Sequence, residues 1–149
     1  MSMKHSAVAG LVVGAAVALA GCASTTAAEA PPATVTQVAG SQIPRLQLTD
    51  RAIQRLGIVT RPVAEAPAAA GSTGQREIIA YPAVVYDTDG STWVYVNTAA
   101  RTYRRQPITV AAIQGDVAVL ASGPAVGAAV VTVGAAELLG TEYNISGEE

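Results

Sequence analysis

The chain has 149 residues, which suits one small domain; 50% are hydrophobic, 13% are charged, and the formal net charge is -2. Arg104-Arg105 is the only basic doublet, so the clustered positive charge that nucleic-acid binding needs is missing. One cysteine excludes an intrachain disulfide and any multi-cysteine metal site, and with one Trp and no Phe the core must come mainly from Val, Ile, Leu and Ala.

The first 21 residues read as an export signal. A short segment carrying Lys4 precedes an apolar run at residues 7–19, and small residues follow. The run is short for a membrane span, which needs about 20 residues. Leu19-Ala20-Gly21-Cys22 then resembles a bacterial lipobox at the right distance behind it. That resemblance implies lipid attachment at Cys22, with the small Ala20 and Gly21 fitting a protease channel. It places the mature protein outside the cell or in the periplasm, anchored to the cell membrane or the outer membrane according to the host. More than one acyl chain holds a protein durably on a bilayer. Loss of the signal removes His5 and Lys4, the sole histidine and the sole lysine. Imidazole triads and lysine Schiff-base chemistry go with them. Residues 22–40 are rich in Ala, Thr and Pro and read as a flexible tether, with Pro31-Pro32 blocking a long helix.

Residues 41–143 hold the expected domain. An edge strand is expected over residues 44–48. In LTDRAIQRLG, Leu48, Ala52, Ile53 and Leu56 fall at helical spacing, with Thr49 or Asp50 as cap and Gly57 as terminator. Residues 58–63 return to extended chain, and residues 65–75 read as a loop. From residue 76 onward, β-branched and apolar runs alternate with turn signals at Asp89-Gly90, Gly115-Asp116 and Ser122-Gly123-Pro124. Residues 83–86 and 92–96 form one expected hairpin, residues 108–113 and 117–121 a second, and residues 128–133 the last strand. A helical turn is expected over 134–140 and a polar tail at the C-terminus, over 144–149. The expected fold is all-β and mainly antiparallel, a small β-barrel or β-roll with one short helix.

Alternation puts Val84, Tyr86, Val94 and Val96 on the core face, leaving Trp93 and Tyr95 as an exposed aromatic patch or as the cover of a second core. Arg101, Arg104 and Arg105 read as a solvated strand edge or a partner-contact patch. Asp87 and Asp89 read as turn formers, with no apolar setting to raise a pKa, and the domain serines have no histidine partner. No catalytic residue, metal site or cofactor is expected.

The order of these pieces resembles the membrane-proximal part of the periplasmic adaptors of efflux pumps, the membrane fusion or HlyD-like family. The resemblance rests on Ala80-Tyr81-Pro82-Ala83-Val84-Val85, the Asp89-Gly90 turn, Trp93-Val94-Tyr95-Val96, Arg105-Gln106-Pro107-Ile108-Thr109-Val110, Gly115-Asp116, and Ser122-Gly123 through Val133-Gly134. Pro124 stands where that family usually has Leu. Residues 64–75 are too few to hold the lipoyl-like, middle-barrel and hairpin domains of a full adaptor. The expectation is therefore a proximal domain alone on a lipid anchor. The resemblance implies a non-enzymatic envelope lipoprotein that meets an inner-membrane transporter or another envelope protein, through Arg101, Arg104, Arg105, Trp93 or Tyr95. The alternative is a small-ligand-binding lipoprotein whose barrel is lined by Tyr81, Tyr86, Trp93, Tyr95 and Tyr103.

Overall fold

The computed structural model describes residues 30–66 and 76–145, without the side chains of 144 and 145. The expected signal segment and Cys22 lie outside the described residues. The chain runs β1 (Ala33–Thr36), β2 (Arg45–Leu48), α1 (Asp50–Leu56), β3 (Val59–Pro62), β4 (Ala64–Glu65) and β5 (Glu77–Ala80). A 3-10 turn at Tyr81–Ala83 leads to β6 (Val85–Tyr86), β7 (Thr92–Ala99), β8 (Thr102–Pro107), β9 (Thr109–Gln114), β10 (Val117–Ser122), β11 (Ala129–Val133) and α2 (Ala135–Ile145).

Among the described residues the protein is all-β in the main, with two short helices and no closed barrel. A seven-stranded sheet has the order β1-β2-β8-β7-β11-β3, with β6 also paired to β7, and a four-stranded sheet has the order β4-β5-β10-β9. All pairings among the described residues are antiparallel. Neighbouring residues of β7 and β11 enter different cores. Tyr95 and Val131 join Leu46, Leu48, Ala52, Tyr103 and Leu138 beneath the helices. Val94 and Val130 join Ile79, Ala118 and Leu120 against the smaller sheet. The larger sheet is thus the middle of three layers. Both of its faces are covered without closure, which is why the expected barrel is absent.

Helix α1 forms as its sequence dictates. Thr49 is extended and accepts a hydrogen bond from the Ala52 amide at 3.2 Å, while Gly57 ends the helix at φ 62. Ala52 is buried, with Ile53 and Leu56 packed beside it. The second expected helical turn is longer than the spacing suggests. It extends to Ile145, and Ala135, Leu138 and Glu142 turn its buried face to the large sheet. Gly134 joins β11 to this helix at φ 87, where a Cβ would run into the Ile58 side chain. No helix among the described residues is long and apolar enough to cross a membrane.

Two expectations are corrected here. Residues 33–36, inside the stretch read as a tether, form strand β1 in register with β2, Ala33 facing Leu48 and Thr36 facing Arg45. The core face of β6 is also reversed, since Val85 is buried and Tyr86 is 52% exposed.

Candidate functional site

Strand β8 carries Arg104 and Arg105 on opposite faces, because side chains alternate along a strand. Arg105 stands opposite Tyr95 on β7, and Arg104 opposite Val96. The two arginines therefore enter different surroundings.

Arg105 lies under α2. Its Nη1 donates to Asp87 Oδ2 at 2.6 Å, and its Nε lies 2.9 Å from Glu142 Oε1 as an ion pair. The guanidinium carbon sits 4.7 Å from the Trp93 ring centre and 5.9 Å from that of Tyr143, within cation–π reach. Burial opposes the charge of Arg105. The hydrogen bond to Asp87 and the field of Glu142 outweigh burial and raise its pKa.

The carboxylates are held in turn by α2 and β7. Tyr95 donates from its hydroxyl to Glu142 Oε2 at 2.7 Å, and Tyr143 donates to Asp87 Oδ1 at 2.5 Å. The Tyr143 hydrogen bond, the Thr88 amide and Arg105 together bring the pKa of Asp87 down to about 2. A carboxylate held so firmly ionised is a counterion, the opposite of what a general acid needs. Burial first, then the bond to Glu142, pushes the Tyr95 phenol far above its ordinary range. Asp89 serves the turn: it accepts from the Ser91 amide at 2.9 Å and from the Ser91 hydroxyl at 2.5 Å. Trp93 Nε1 donates to Ser91 Oγ at 2.7 Å.

Tyr95 as a partner contact is corrected by this arrangement. Its side chain is wholly buried between β7 and α2 and meets no solvent. Trp93 is half-buried beneath Arg105 while Tyr95 belongs to the core under the helices, so the two do not form one exposed patch. Arg101 occupies the β7–β8 turn at φ 58 and donates to Asp50 Oδ2 at 2.9 Å, in an exposed pair. Sequence reasoning missed Glu142 and Tyr143. The available signal was the spacing of Ala135, Leu138 and Glu142, which continues the buried face of one helix.

Arg104 faces the other way. Its Nη2 donates to Ser41 Oγ at 2.6 Å, and its buried Nε has no hydrogen-bond partner. Among the described residues no carboxylate pairs with it. It lines a solvent-open cleft of about 260 Å³ together with Ile43, Val96, Thr98, Arg105, Gln106 and Pro107. Ser41 is itself fixed, accepting from the Ile43 amide at 3.1 Å. A second cleft lies between Pro31, Pro32 and α1, and a third beside β4 and β5. None of the three is lined by the five aromatic residues expected to face a ligand.

No family model matches this chain, and comparison with curated proteins and with solved structures finds no match either.

Proposed function

We propose that this chain is a non-enzymatic envelope lipoprotein. Its lipid is carried on Cys22, and its β-domain docks on an inner-membrane transporter or another envelope protein, as an adaptor's membrane-proximal domain does. The anchor rests on Leu19-Ala20-Gly21-Cys22 behind an apolar run. The docking half rests on one observation: Arg104 is held in an open, partly apolar cleft with a serine hydroxyl and no carboxylate among the described residues. Desolvating an unpaired guanidinium brings nothing to the fold by itself, and a surface partner supplies the missing counter-charge.

The test is crosslinking in native membranes followed by pull-down, with wild type beside Cys22→Ala. The expected result is a membrane transporter or other envelope protein captured by wild type and lost in the variant, which leaves the membrane fraction. Release of the variant with no partner for wild type would keep the lipoprotein and remove the docking role. A variant that stays on the membrane would remove the lipid anchor.

A further inference from the structure

We propose that the Arg104 cleft is a carboxylate-binding site whose occupant is an Asp or Glu side chain of the partner polypeptide. The inference rests on the docking reading and names the chemistry of its contact.

The donor set points to an anion. A guanidinium presents five N–H groups in a planar fork, and here one is donated to Ser41 while Nε is enclosed without an acceptor. The remaining donors of Nη1 and Nη2 form an edge that a carboxylate spans with two parallel hydrogen bonds. Arg104 is steadied for this. Ser41 Oγ holds Nη2, and the Ile43 amide holds Ser41 Oγ in turn. The arginine therefore loses less freedom on binding than one waving in solvent.

The walls point to a peptide as the source of the carboxylate. Ile43, Val96 and Pro107 are apolar, while Thr98 and Gln106 offer neutral hydrogen-bonding groups. At about 260 Å³ and open on one side, the cleft falls below the usual range for small-molecule pockets, about 300–1,000 Å³. It fits one side chain. A single ion pair at an open surface is weak, so a free small acid gains little there. An acidic residue carried on a chain brings neighbouring apolar and backbone contacts to the same walls.

The experiment is an NMR titration of the full chain with three probes: the blocked tripeptide acetyl-Ala-Glu-Ala-amide, its Ala-Gln-Ala counterpart, and sodium acetate. The glutamate peptide is expected to shift the amides of Ser41, Ile43, Val96, Thr98 and Arg104 along saturating curves. Acetate should bind at least about fivefold more weakly, and the glutamine peptide should move nothing, since discarding the charge discards the strong bidentate bond. Arg104→Met should abolish the shifts, and Arg104→Lys should weaken them, because an ammonium lacks the fork. Both variants should melt within about 2 °C of wild type, which separates loss of binding from loss of fold. Equal binding of the glutamine peptide, or shifts unchanged in Arg104→Met, overturns the site. Equal binding of acetate overturns the peptide as its occupant. The native-membrane crosslink separates the two proposals. A partner captured equally by wild type and Arg104→Met overturns this contact and leaves docking intact. An intact titration with no captured partner overturns docking alone.

Discussion

Arg104 and Arg105 are adjacent in sequence and opposite in circumstance. Arg105 is enclosed by two carboxylates and two aromatic rings, all supplied by this chain, and its side chain is 14% exposed. Arg104 meets one hydroxyl at the wall of an open cleft. One residue of offset along a strand separates a cation that the fold consumes from one that it leaves on offer. A basic doublet on a strand is thus two separate features. Only the half left without a counter-charge is a candidate for contact with something else.

Neutralising each arginine in turn should separate the two most clearly. Arg105→Met removes the cation that pairs with both Asp87 and the almost fully buried Glu142. That should cost about 3 kcal/mol in chemical denaturation, the low end of the range for removing one partner of a buried ion pair. Arg104→Met should change stability by less than about 0.5 kcal/mol, as for a surface position outside the packed network. Equal costs for the two would erase the distinction between a structural and an available arginine.

Tyr95→Phe sharpens the same contrast from the other end of the network. It removes the 2.7 Å hydrogen bond to Glu142 and leaves the ring in its buried place. Hydrogen bonds to charged groups contribute about 1.5–3 kcal/mol, so a loss near the lower figure is expected from denaturant unfolding. No loss would mean that α2 is held to the sheet by apolar packing alone, through residues such as Leu138.

What the sequence made legible was local. Helix α1 could be read because its cap, its apolar spacing and its terminator all lie within ten residues. The hairpins at Asp89-Gly90 and Gly115-Asp116 could be read because φ values of 83 and 58 call for glycine. The opposite orientation of Arg104 and Arg105 follows from alternation alone. What each of them meets depends on residues brought from 18 to 63 positions away, and no local signal carries that. Alternation also failed to decide between Val94 and Tyr95, because both faces of β7 are buried and neither is the solvent side. Strand β1 was hidden for a different reason. Its Ala-Thr-Val-Thr composition resembles a linker, and only the pairing with β2 makes it a strand.

The smallest expected effect concerns acid. The Tyr143 hydroxyl, the Thr88 amide and Arg105 hold Asp87 down at about 2, well below the ordinary aspartate value of 3.8. The folded protein therefore binds this proton more weakly than the unfolded chain does. The resulting stability is present in full above about pH 4 and is lost as the pH falls through about 2. Thermal melts of wild type should accordingly decline between those values, and Asp87→Asn should decline less steeply while starting from a lower melting temperature at neutral pH. Tyr143→Phe is the finer control. It removes the leading cause of the shift at a half-exposed ring, so the decline should be smaller and should end at a higher pH, while Arg105 stays paired with both acids. Parallel curves for wild type and Asp87→Asn would show that Asp87 titrates alike folded and unfolded. The enclosure of Arg105 would then rest on Glu142 and the two rings, and the contrast with Arg104 would narrow to one carboxylate.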